Sequence, residues 1–213
     1  IKALHEKGII FTAASGRQYA NIRRLFAPLG FDIPYIAENG SMCVYKEEIL
    51  ATGLTPSKTI RHILDALMEY RKIYHTGHCI LSVKDTYYSD STDERFIDYM
   101  ENDMHNIVTY VPDLYAIKEP IIKAASCDFC GTQNLDPFFN KRIGDEIRVV
   151  TSADHWIDFI APNANKGTAL KVLMEKFGIK KEECICFGDQ QNDIEMLKGV
   201  GIGVAMGNAQ NEV

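Results

Sequence analysis

The chain has 213 residues, 46% of them hydrophobic and 24% charged, enough apolar material for one large domain or two modest ones. A net charge of −6 argues against a general nucleic-acid binder, because backbone phosphates would be repelled. No run approaches the roughly 20 apolar residues of a membrane-spanning helix, and no signal peptide is visible.

The first residues, Ile1 to Lys7, read as the second half of a helix capped by Gly8. The chain starts at Ile1 rather than Met and stops at Val213 without a closing feature, so both ends are expected to be cut. Ile9 to Ala14 is a continuous apolar run, the pattern of a strand buried on both faces. Ser15-Gly16-Arg17 then turns into a helix with Ile22, Leu25, Phe26 and Leu29 on one side, ended by Gly30. Tyr35 to Ala37 is a short strand, followed by Glu38-Asn39-Gly40-Ser41.

The middle of the chain changes character. Strand-like pieces at Cys79 to Val83, Ile107 to Val111, Ile121 to Ala125 and Ile147 to Thr151 lie among amphipathic helices such as Ser57 to Tyr70 and Glu94 to Met104. Residues 48–158 are therefore expected to form an α+β insertion between core segments 1–47 and 159–213. In the second core segment an amphipathic helix spans Gly167 to Phe177, and Cys184 to Phe187 reads as a buried strand. Gly188-Asp189 opens a helix through Leu197, and Ile202 to Ala205 is a further strand. Strands alternating with helices predict an α/β core with a Rossmann-like parallel sheet.

Of the six cysteines, Cys184 and Cys186 read as core thiols. Cys127 and Cys130 form a lone C-x-x-C, without the second ligand pair a zinc site needs. The pattern suits a reduced, cytoplasmic protein.

Three stations carry chemistry, each just past a strand or at a helix start, where open α/β sheets bind ligands. At the first, the Ser15 hydroxyl and the backbone N–H of Gly16 suit an anion, although a serine here also suits an ordinary helix cap. At the second, Lys166 opens a helix, where the dipole disfavours a cation; it either reaches an anion or is a solvated surface lysine. At the third, Asp189, Asn192 and Asp193 are spaced i, i+3 and i+4, which groups hard oxygen donors of the kind Mg²⁺ takes. Acidic capping of a first turn explains Asp189 but not the whole cluster.

Together the stations resemble the motifs of the haloacid dehalogenase superfamily, and of its Cof-like phosphatases in particular. Ile9-Ile10-Phe11-Thr12-Ala13-Ala14-Ser15-Gly16-Arg17 is similar to the second motif, and Lys166-Gly167-Thr168-Ala169-Leu170 to the third. Gly188-Asp189-Gln190-Gln191-Asn192-Asp193, continued by Val204-Ala205-Met206-Gly207-Asn208-Ala209, is similar to the fourth. The resemblance implies a parallel-sheet core interrupted by an α+β cap that closes over the site and sets substrate choice. It implies that Ser15, Gly16, Lys166 and Asn192 hold a transferring phosphoryl group, and that Lys166 steadies the nucleophile. Asp189 would ligate Mg²⁺ with Gln190 at the metal's edge, and Asp193 would orient Lys166 or a metal-bound water.

The family's Asp-x-Asp pair, nucleophile and general acid/base, does not precede Ser15. A parallel crossover needs about a dozen residues, so that pair is expected upstream of Ile1 and the chain alone is expected to be inactive. The activity implied is Mg²⁺-dependent hydrolysis of small phosphate monoesters, of sugars or phosphorylated cofactors. Three rivals stand beside it: phosphomutase or phosphotransferase chemistry on the same site, a catalytically silent phosphate-binding protein, and a receiver-like signalling domain. Asp158 and the cap residues His75, His78, His155 and Tyr87 are candidate substrate contacts, each better read as an ordinary packed or surface residue.

Overall fold

In the computed structural model, residues 1–50 and 53–213 are described with their side chains and residues 51 and 52 by backbone alone. The chain divides into two compact units, residues 1–52 with 163–213, and residues 53–162. Among the described residues, no helix is long and apolar enough to cross a membrane.

The first unit begins with helix α1 (Lys2–Glu6), strand β1 (Ala13–Ala14) and helix α2 (Tyr19–Phe26). Strand β2 (Tyr35–Ala37) pairs parallel with β1, then antiparallel with β3 (Met42–Tyr45), which pairs with β4 (Glu48–Thr52). The expected strand over residues 9–14 is reduced to Ala13–Ala14, and Ile9 and Ile10 are 50% and 43% exposed. The reason lies in the partner: β1 is an edge strand, and Pro34, just before β2, has no N–H with which to extend the ladder.

The second unit opens with α3 (Ser57–Tyr74), β5 (His78–Ser82), β6 (Tyr87–Ser89) and α4 (Glu94–Asp98), which runs into a π-helical turn at Tyr99–Asp103. It continues with β7 (Val108–Tyr110), β8 (Lys123–Cys127), α5 (Thr132–Ile143), β9 (Arg148–Ala153) and β10 (Trp156–Ile160). The strands form one sheet in the order β7-β6-β5-β8-β10-β9, antiparallel except for β6 with β7. Alternate residues point to opposite faces. Cys79, Leu81, Ala124, Ile157 and Phe159 pack with Ile63, Leu67 and Tyr70 of α3 and Leu135 and Phe139 of α5. On the other face Ile80, Tyr87, Ala125 and Trp156 pack with Phe96 and Met100. Each fully buried large side chain here contributes roughly 1.5–3 kcal/mol, so this unit carries a core of its own.

The chain re-enters the first unit with α6 (Lys166–Phe177), β11 (Ile185–Gly188), α7 (Ile194–Lys198) and β12 (Ile202–Ala205). Strands β11 and β12 pair parallel. Ala169, Leu170 and Leu173 of α6 bury against Ile36, Cys43 and Met196, which ties the two chain segments of this unit into one core. The strand expected to be buried on both faces is covered on one only. Cys186 packs into that core, whereas Ile185 and Phe187 are 53% and 57% exposed.

Candidate active site

Each polar side chain of interest is set by a local device. Asn165 caps α6: its Oδ1 accepts from the Thr168 N–H at 2.8 Å, and the Thr168 hydroxyl accepts from the Asn165 N–H at 3.1 Å. This reciprocal cap satisfies two end donors of the helix and fixes Lys166 as its first residue. A lysine there opposes the helix dipole, and it is only 6% exposed. Two partners offset that cost. Lys166 Nζ donates to Asp193 Oδ1 at 2.5 Å and to Asn192 Oδ1 at 3.3 Å.

Both oxygens of Asp193 are engaged. Its second oxygen accepts from the backbone N–H groups of Asp189 and Gln190 at 3.0 and 3.2 Å. Burial acts to raise this carboxyl, but Lys166 and the two N–H groups outweigh it and hold Asp193 below the ordinary carboxylate range. The residue therefore stays an anion that orients Lys166.

Asp189 follows β11 and is half-buried. Asn208 Nδ2 donates to its Oδ2 at 3.3 Å, and the Asp189 carbonyl accepts from the Gln210 N–H. Gln190 enters the network through its backbone N–H, and its side chain is exposed. Among the described residues, no group of three or more His, Cys, Asp and Glu could enclose a metal ion. Mg²⁺ does not need one, because it takes one or two carboxylates and completes its shell with water and phosphate oxygens. Asp189, a hard donor with its Oδ1 uncommitted, fits that role as a single ligand.

Ser15 leaves β1 with its N–H donating to the Ile36 carbonyl, and its Oγ accepts from the Arg17 N–H at 3.2 Å. Helix α2 starts only at Tyr19, so Ser15 is not its cap and Gly16 lies in the loop before it. One residue that contacts both Ser15 and Asn192 was given no role from the sequence, where Glu38-Asn39-Gly40 reads only as a motif leading into the insertion. Asn39, at φ +58°, donates its N–H to the Ser15 carbonyl at 3.2 Å and accepts from Asn192 Nδ2 at 2.8 Å. The available signal was Asn-Gly directly after a strand, since both residues tolerate left-handed backbone. The neighbouring glycines are required here. A Cβ on Gly16 would meet Asn39 Oδ1 at 2.6 Å, and one on Gly40 (φ +92°) would run into the backbone of Asn165 and Lys166.

Ser15, Asn39, Asn192, Lys166, Asp193 and Asp189 thus form one unbroken chain of hydrogen bonds. The candidate residues of the second unit have other partners. His78 stacks on Phe96 and bonds Ser91, Tyr87 is buried, and Asp158 pairs with Lys123 at 3.3 Å. His75 is exposed at the end of α3, and His155 meets the Phe129 ring edge.

A family model described as haloacid dehalogenase-like hydrolase matches residues 1–213. The chain is 28% identical over 220 residues to the HMP-PP phosphatase of Enterobacter sp. (strain 638), covering 100% of this chain and 77% of that protein. It is 25% identical over 208 residues to the 5-amino-6-(5-phospho-D-ribitylamino)uracil phosphatase YbjI of Escherichia coli (strain K12), covering 97% and 75%. In fold, a haloacid dehalogenase-like hydrolase from Bacteroides thetaiotaomicron superposes with a TM-score of 0.86 at 23% identity, over 99% of this chain and 80% of that one.

Proposed function

The chain belongs to the haloacid dehalogenase-like hydrolases, and from that membership we propose that it is the greater part of a Mg²⁺-dependent phosphatase acting on small phosphate monoesters. The observation that carries the reading is the hydrogen-bond chain from the Ser15 loop through Asn192 and Lys166 to Asp189. Phosphoryl transfer is mostly positioning and neutralisation of charge on the equatorial oxygens. The Ser15 hydroxyl, the Gly16 N–H, the Lys166 ammonium and one Asn192 N–H supply donors for those oxygens. Asp193 keeps Lys166 pointed. Asp189 would hold the metal, which when bound adds positive charge beside the phosphoryl group.

The nucleophile in this proposal is an aspartate of an Asp-x-Asp segment preceding Ile1. Support comes from the sheets. Among the described residues β1 and β11 are edge strands, so each offers a side on which a further strand would pair. The two relatives carry names of unlike substrates, so what their names share is removal of a phosphoryl group rather than one leaving group. The proposal includes a reducing, cytoplasmic setting, in keeping with six free cysteines.

The test is orthophosphate release by the complete protein, Asp-x-Asp segment included, from a panel of sugar phosphates and phosphorylated cofactors with Mg²⁺. Hydrolysis of at least one small ester is expected, with loss in Asp189→Ala. Hydrolysis that survives Asp189→Ala would remove the metal site, and phosphoryl transfer to a second substrate instead of water would make the protein a phosphotransferase.

A further inference from the structure

The turn at Glu38, Asn39 and Gly40 holds three consecutive residues at positive φ: +51°, +58° and +92°. Left-handed backbone costs Glu38 roughly 1–2 kcal/mol and Asn39 less, so the turn requires something to hold it there. The turn is held by its own N–H groups. Glu38 donates to the Arg17 carbonyl at 3.1 Å, Asn39 to the Ser15 carbonyl at 3.2 Å and Ser41 to the Glu38 carbonyl at 3.0 Å. Two of these three bonds are spent on the loop that carries Ser15 and Gly16.

The Asn39 side chain reaches the other way, to Asn192. Lysine can only donate, so the oxygen of the Asn192 amide has to face Lys166. That turns Nδ2 toward Asn39, whose Oδ1 accepts one of its two hydrogens at 2.8 Å. The second hydrogen remains for an incoming oxygen. Without an acceptor at Asn39, the Asn192 amide would have one fixed contact, at 3.3 Å, and would be free to rotate about it.

The geometry points to Asn39 as a positioning residue of the phosphatase site. Through its amide it fixes the orientation of Asn192, so that one N–H of Asn192 stays aimed at the phosphoryl oxygen. Through its backbone it ties the Ser15 loop to the same point. This inference rests on the phosphatase reading above and deepens it. Asn39 touches neither ester nor metal; its effect passes through Asn192. A donor placed for charge that develops during the reaction acts on kcat more than on KM.

The experiment is a double-mutant cycle on the complete protein, with p-nitrophenyl phosphate and Mg²⁺. Asn39→Gly removes the amide and keeps a residue at ease at φ +58°. It is expected to lower kcat by about 10-fold to 100-fold, less than the roughly 100-fold to 1,000-fold found on removing such a donor outright because Asn192 itself remains, and to change KM by less than about threefold. Asn192→Ala is expected to lose at least as much, and the double variant no more than about twofold beyond Asn192→Ala. Losses that multiply in the double variant, or an Asn39→Gly enzyme within about twofold of the parent, would overturn the inference. So would an Asn39→Gly protein already unfolded at the assay temperature, because Asn39 would then be a structural residue. Asp189→Ala in the same assay separates the two levels. If that variant is inactive while Asn39→Gly is unimpaired, only the positioning role falls. If Asp189→Ala is as active as the parent, the phosphatase site itself is wrong.

Discussion

The Lys166 ammonium stands 2.5 Å from the Asp193 carboxylate, with both side chains only 7% exposed. Two desolvated charges of this kind are tolerable only together. Removing one leaves the other buried and uncompensated, at a cost of about 3–5 kcal/mol. Lys166→Ala is therefore expected to lower unfolding stability by about that amount, as read from the denaturant midpoint. A loss below about 1 kcal/mol would mean that the pair is not formed as described.

Gly40 is held at φ +92° against the backbone of Asn165 and Lys166. Gly40→Ala would add both left-handed strain and a steric clash, each worth roughly 1–3 kcal/mol. A loss above about 2 kcal/mol is expected, together with a fall in phosphatase activity of the complete protein because Lys166 is displaced. Gly8, also at positive φ (+73°) but with open space around its Cβ position, is the control: Gly8→Asn keeps only the backbone strain, which asparagine bears best, and should cost less than about 1 kcal/mol with activity unchanged.

The second unit should show its own pH dependence. Burial pushes His78 below the ordinary histidine range, against the pull of Asp93, while Arg71, Asp128 and Asp90 act on it less strongly. Above about pH 6.5 the imidazole is neutral in both folded and unfolded chains and contributes no pH dependence. As pH falls below that value the unfolded chain takes up the proton first, so stability is lost until the folded pKa is also passed. The stability advantage of the parent over His78→Asn, measured by denaturant unfolding, should therefore shrink between pH 7 and pH 5. A gap that stays constant would mean that His78 titrates normally.

Much of the fold was legible because the devices that set it are local. Gly8, Gly30 and Gly178 end helices where the apolar spacing stops, and Asn165 marks the start of α6. The alternation of strand and helix gave the α/β core. Exposure was not legible from runs such as residues 9–14 and 184–187, since a continuous apolar stretch looks the same whether its strand lies inside a sheet or at its edge. That difference depends on neighbours far away in the chain. The role of Asn39 escaped for the same reason: its partner Asn192 is 153 positions away, and only folding brings them together. The lone Cys127-x-x-Cys130 pair is likewise split by the fold, with Cys127 inside β8 and Cys130 exposed.

The most direct measurement is a crystal structure of the complete protein with Mn²⁺ in place of Mg²⁺ and with inorganic phosphate. The anomalous signal should fall on the Asp189 carboxylate, with a phosphate within hydrogen-bond distance of Ser15 Oγ, the Gly16 N–H and Lys166 Nζ. A metal bound away from Asp189, or a phosphate that reaches Lys166 but not the Ser15 loop, would contradict the convergence on which the whole account depends.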